Sequence, residues 1–193
     1  MVDATKEGGR VIVDVRQPKG QGWHIGPSPS ARLIVSLPAT TDLIAKSGDG
    51  SIDVERLAGR LELGSGDGSI RARDLSGDVN AHTGDGSIVL DGKFASLRAR
   101  SGDGSVRIRA AAGSTTGGDW DVTTGDGSIT LEIPDGFSGE LDAHTGDGRV
   151  HLEDVNVDTG GSQTGRNSLR GRVGSGGRQI RLRTGDGSIT LRR

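Results

Sequence analysis

Seven aspartates in this chain sit between two glycines: Asp49, Asp67, Asp85, Asp103, Asp126, Asp147 and Asp186. Carboxylates repeated at regular spacing are the raw material of a cation row, and Ca²⁺ is the ion such oxygens would select. The Asp-Gly-Ser-Ile string resembles the middle of a calcium-binding helix-loop-helix loop. That loop also needs oxygen ligands two and four residues before the Asp and a Glu seven after it. Ala45, Leu63 and Ala81 stand four residues before Asp49, Asp67 and Asp85, and Arg56 stands seven after Asp49, so the match fails. The nonapeptide calcium roll has half the period seen here. Two readings of the Asp column stay open. Each Asp can accept backbone N–H bonds in its own turn, or the column can hold ions between carboxylates. The turn reading is favoured, because one carboxylate per unit is thin for an ion that takes 6–8 oxygens.

Other chemistry is harder to place. Glycoside hydrolysis needs one distinct pair of carboxylates, and none stands out among so many repeated ones. Sugar-stacking aromatics are few: Trp23, Trp120, Phe94 and Phe137. The histidines His24, His82, His144 and His151 are scattered. Gly-Asp-Gly-Ser lacks the Lys and the helix of a phosphate loop. No enzymatic activity is expected, and no catalytic or cofactor-binding residue is assigned.

The elements that position the Asp column follow from the period. The first four Gly-Asp-Gly motifs recur every 18 residues, the mark of a repeat architecture. After each motif an apolar pair alternates with outward residues: Ile52/Val54, Ile70/Ala72, Ile88/Leu90, Val106/Ile108, Ile129/Leu131, Val150/Leu152 and Ile189/Leu191. Before each motif the alternation returns, as in Leu61/Leu63, Val79/Ala81 or Trp120/Val122, and ends on Ser or Thr. Period-two alternation over so short a run predicts half-buried strands. The hydroxyls Ser47, Ser65, Thr83, Ser101, Thr124, Thr145 and Thr184 then point inward, where they can bond to one another or to the turn backbone. Leu57-Ala58-Gly59 and Leu75-Ser76-Gly77 read as the opposite corner. Identical offsets favour a coil that stacks like on like over a meander of hairpins. Outward charges support this: Asp53/Glu55 would face Arg71/Arg73 one strand away.

The expected fold is therefore all-β: a single-domain parallel β-solenoid (a β-helix), right-handed by the usual crossover preference, with about 18 residues per coil. Residues 1–9 are expected to be disordered. Residues 10–46 form N-terminal cap strands, at 11–15 and 32–37, with Trp23 as a lid. Residues 47–193 carry the repeats, with insertions at 110–118, 134–137 and 156–179, the last a polar loop. Ile189–Arg193 reads as a terminal strand with an uncovered edge. End-to-end self-association through open coil ends is a further expectation.

Composition bounds the rest. Among 193 residues only 31% are hydrophobic and 2% aromatic, which suits a thin core one or two side chains deep. The net charge of −2 gives no field to draw nucleic acid. There is no cysteine, so thiolate metal sites and disulfides are excluded. No apolar run is long enough to span a bilayer, and the first residues lack the basic and apolar regions of a signal peptide.

Runs such as 119–129 and 141–150, with Val35-Ser36-Leu37-Pro38 ahead of them and Gly174-Ser175-Gly176-Gly177 before the last repeat, resemble a bacterial adhesin-like family of unknown function built of strand repeats that end in Thr-Gly-Asp-Gly. The likeness covers about residues 32–193. It implies a β-solenoid, an envelope-associated setting and no catalytic residues; the expected function is a non-enzymatic scaffold or adhesin-like module for a protein or cell-wall partner, with a Ca²⁺-stabilised solenoid and a polysaccharide-active β-helix enzyme as the alternatives.

Overall fold

The computed structural model describes residues 2–7, 10–15, 32–161 and 165–193. Among these residues every regular element is a strand. The chain divides into two units, residues 1–36 and 37–193.

In the first unit β1 (Val2–Glu7) and β2 (Arg10–Val15) pair antiparallel, from Val2 opposite Val15 to Glu7 opposite Arg10. Residues 2–7, within the 1–9 expected to be disordered, thus form a strand. Glu7 and Arg10 are separated in sequence by Gly8-Gly9, a dipeptide that signals a two-residue hairpin. The two strands form a sheet of their own rather than a rung of the repeats. Residues 32–38, expected to include a second cap strand, form none; Leu33, Ile34 and Val35 are exposed. Apolar content does not make a strand where no neighbour completes the ladder. Trp23 and His24 lie outside the described residues.

The second unit holds a 14-stranded mixed sheet. Each repeat contributes one layer of a solenoid-like stack. The first layer is β3 (Leu43–Ser47) with β4 (Ile52–Glu55). The second is β5 (Ala58–Ser65) with the start of β6 (Ile70–Thr83), and the third is the rest of β6 with the start of β7 (Ile88–Ser101). The end of β7 and β8 (Val106–Ala110) make the fourth, and β9 (Trp120–Thr124) with β10 (Ile129–Glu132) the fifth. Neighbouring layers pair in parallel and in register, Ile52 beside Ile70, Ile70 beside Ile88, Ile88 beside Val106, Val106 beside Ile129.

Chain order then breaks. Next in sequence come β11 (Gly139–Thr145) and β12 (Val150–Glu153), yet neither touches the fifth layer's strands in the sheet. β15 (Gln179–Thr184) and β16 (Ile189–Arg192) lie between them: β15 pairs with β9 on one side and β11 on the other, and β16 with β10 and β12. The expectation of a terminal, uncovered Ile189–Arg193 strand is corrected, because the final repeat is an interior layer. The expectation of an entirely parallel coil is corrected as well. Within the 156–179 insertion, β13 (Val157–Asp158) and β14 (Ser168–Val173) run antiparallel, β14 along β11 and β13 along β14. Leu169 and Val173 are buried while Arg170 and Arg172 face out, so part of the expected polar loop is an amphipathic strand that covers the edge of β11.

The core is the single file of inward residues predicted by alternation. Ile70, Ala72, Ile88, Leu90, Ile108, Ile129, Leu131 and Ile189 are all fully buried, each large one contributing about 1.5–3 kcal/mol. Trp120 stands edge-on to Phe94, with ring centroids 6.0 Å apart, and against Phe137 at 4.9 Å. The insertions at 110–118 and 134–137 meet this cluster: Trp120 donates its indole N–H to Thr115 O. At the ends burial thins. Leu43, Ala45, Ile52 and Val54 are half-buried in the first layer, and Leu152 of β12 is exposed.

Candidate functional site

The seven Gly-Asp-Gly corners line one edge of the stack, in the spatial order Asp49, Asp67, Asp85, Asp103, Asp126, Asp186, Asp147. Backbone bonds fix that order. Gly66 N–H donates to Gly48 O at 2.6 Å, and Gly84, Gly102, Gly125 and Gly185 repeat the same bond to Gly66, Gly84, Gly102 and Gly125. Asp147 N–H then donates to Gly185 O at 3.0 Å. Glycine is required here by proximity. A Cβ on Gly104 would run into the carbonyl of Gly86 one layer below, and Gly127 repeats that collision against Gly104.

Hydroxyls lock each corner, as the inward parity of Ser and Thr implied. Ser65 donates to Gly50 O, Thr83 to Gly68 O, Ser101 to Gly86 O, Thr124 to Gly104 O, Thr184 to Gly127 O and Thr145 to Gly187 O, all at 2.7–3.0 Å. Within their own turns Ser65, Ser101 and Thr145 accept from the N–H of Gly68, Gly104 and Gly148. All six are buried. A buried hydroxyl that both donates and accepts is satisfied where an orphan would cost about 1–3 kcal/mol.

The hydroxyls therefore perform the task expected of the aspartates. Among the described residues none of the seven Asp carboxylates takes a hydrogen bond from the protein, and all seven side chains lie on exposed residues. The turn-acceptor reading of Asp is corrected: only its backbone N–H is used. What remains outside is a column of carboxylates at about 4.8 Å intervals. Among the described residues no group of three or more His, Asp or Glu is placed to hold a metal ion. His82 and His144 are exposed on β6 and β11, strands that are not neighbours.

The flat faces carry ion pairs between layers. The predicted facing of Asp53/Glu55 with Arg71/Arg73 holds in register, and Glu55 meets Arg73 at 3.7 Å. Asp121 is held by Arg100 at 2.8 Å, and Glu132 by Arg109 and Arg192, both at 3.0 Å. Lys46, 2.8 Å from Glu62, holds that carboxyl below its ordinary value, first through its hydrogen bond and then through its charge. A constellation that sequence reasoning missed centres on Asp142. Burial works to raise its pKa, but the hydrogen bonds and the charges of Arg183 and Arg170 together outweigh this and hold it below the usual 3.8. The signal was present in Leu169-Arg170-Gly171-Arg172-Val173, a period-two run inside a stretch read as loop. Beside it a groove of about 560 Å³ is lined by Glu140, Asp142, Asp158, Arg170, Arg172 and Gln179. Its walls mix both signs of charge.

The intercalated layer explains the charge order. Arg181 lies in register between Asp121 and Asp142, and Arg192 between Glu132 and Glu153. Stacking in chain order would put Asp121 beside Asp142 and Glu132 beside Glu153. Like charges directly opposite are destabilising.

Among the described residues no helix is long and apolar enough to cross a membrane. Comparison with curated proteins and with solved structures returns no match. The family model of Toastrack DUF4097 matches residues 2–192. The likeness read from the motifs is met at the level of an all-β repeat family, not of an adhesin. The chain belongs to the Toastrack DUF4097 family.

Proposed function

We propose that this protein is a non-catalytic, envelope-associated scaffold that presents its carboxylate column to a partner surface. One observation carries the reading. Glycines and hydroxyls build the corner, so the backbone presents the seven exposed Asp side chains at a fixed spacing while the carboxylates themselves do not serve the fold. A rigid row of like charges concentrates negative potential along one edge, and a complementary basic surface on a protein or cell-wall component is the chemistry it fits. The envelope setting rests on the resemblance of the Thr-Gly-Asp-Gly repeats to envelope-associated proteins. We read the repeat stack as a right-handed β-helix, on the crossover preference.

The test is retention of the purified protein on cell-wall material and membrane extracts. It is compared with a variant in which Asp67, Asp85, Asp103 and Asp126 are replaced by Asn. Retention of the parent and its loss in the variant support the reading; equal retention, or none, overturns it.

Ca²⁺ ions seated along the same column are the second reading. It is less favoured, because each layer offers one carboxylate to an ion that takes 6–8 oxygens. Thermal melts with EDTA and with Ca²⁺ separate the two. A raised midpoint in Ca²⁺ supports bound ions, and equal midpoints end this alternative.

A further inference from the structure

The last repeat lies between two walls that earlier parts of the chain supply. β9 and β10 form one wall, β11 and β12 the other, and the strands of residues 179–192 enter between them. The gap is specific for its insert. Ile180, Leu182, Ile189 and Leu191 complete the core file and are fully buried. Arg181 and Arg192 separate the acidic pairs Asp121/Asp142 and Glu132/Glu153. Thr184 closes on Gly127 O at 2.7 Å, and Thr145 on Gly187 O at 2.7 Å.

The insert joins the body through a short run. β14 is fixed along one edge of β11, and β15 lies along the other. Only Gly174-Ser175-Gly176-Gly177-Arg178 connects them, and Gly174, Gly176 and Gly177 all have positive φ, at 59°, 81° and 143°. Glycine-rich connections of this kind adopt other conformations at low cost.

We propose that the gap is a strand-acceptor site, and that its second occupant is residues 179–192 of another copy of this chain. An insert supplied by a neighbour makes every contact that the chain's own insert makes. Exchange therefore changes only the hinge conformation and the entropy of association, which is the condition for domain swapping. The mode is strand addition to exposed edges, with side-chain pockets giving specificity. It differs from end-to-end stacking, because the contact lies inside the layer stack.

The chain has no cysteine, so introduced pairs report the topology directly. Thr130 and Thr190 are in-register neighbours on β10 and β16 and are half-exposed. Adjacent strands lie about 4.8 Å apart, within disulfide range. Full-length Thr130→Cys/Thr190→Cys protein is unfolded, refolded over a wide range of concentration and oxidised. The expected result is a disulfide-linked dimer whose share rises several-fold with refolding concentration. The control, Arg107→Cys/Thr130→Cys across β8 and β10, stays within one chain in either topology and gives intrachain bonds. Purely intrachain linkage of the 130/190 pair at every concentration overturns the proposal, as does equal dimer formation by the control.

Discussion

Asp142 and Arg183 are hydrogen-bonded to each other although 41 residues separate them in sequence. The bond joins β11 to the strand inserted beside it, and Arg170 of β14 reaches the same carboxylate from the other side at 3.1 Å. One acid thus ties together three strands that the chain order does not place side by side.

This carboxyl is held below its ordinary value in the folded state, so its contribution to stability is present above about pH 4. That contribution is lost as pH falls through the lowered pKa. Asp142→Asn is expected to cost about 1–2 kcal/mol near neutral pH, shrinking towards zero in strong acid. Urea unfolding of parent and variant at about pH 7 and about pH 3 checks it. A cost independent of pH would show that the carboxylate's charge is not what matters.

The corner assigns different duties to neighbouring residues. Thr145→Val removes a hydroxyl that donates to Gly187 and accepts from Gly148, and is expected to cost about 1–3 kcal/mol. Asp103→Asn is expected to leave stability within about 0.5 kcal/mol, or to raise it by relieving like-charge repulsion. Chemical denaturation of the two variants gives the contrast.

Close approach, rather than backbone conformation, dictates the corner glycines. Gly104→Ala drives a methyl into the Gly86 carbonyl and is expected to cost about 1–3 kcal/mol. Gly48, in the first layer, has nothing within 4 Å of an added Cβ, so Gly48→Ala is expected to be nearly neutral. Melting temperatures of the pair test the gradient.

Charge order across the intercalated layer is testable by reversal. Arg192→Glu breaks the 3.0 Å pair with Glu132 and leaves three acids in adjacent positions. It is expected to cost about 1 kcal/mol, and less at high salt because these groups are partly exposed. Denaturation at low and high ionic strength checks both parts.

The inward residues, the hydroxyl column and the in-register stacking of the first five layers were legible in the sequence. Each rests on side-chain parity, which a strand cannot hide. The position of the last repeat was not, because Ile189 and Leu191 satisfy the inward pattern equally well at the end or in the middle. The distinguishing signal lay on the other face, where stacking in chain order would set the like charges Asp121 and Asp142, and Glu132 and Glu153, side by side, and the inserted layer keeps them apart. Strand β14 was missed because Gly171 and the flanking glycines dilute a two-residue apolar alternation. The duty of the Asp side chain was misread because Asp and a neighbouring Ser or Thr can each close such a turn. Only the geometry shows which one does.

The placement of β15 and β16 also sets a timetable for synthesis. A nascent chain exposes residues 139–153 before the layer that connects them to β9 and β10 has left the ribosome. During that interval the facing edges of β9, β10, β11 and β12 wait unpaired, and the contacts that later fill them span up to 60 residues of chain. Closure over such a distance is slow, so the emerging polypeptide is especially exposed to aggregation just before β15 and β16 arrive.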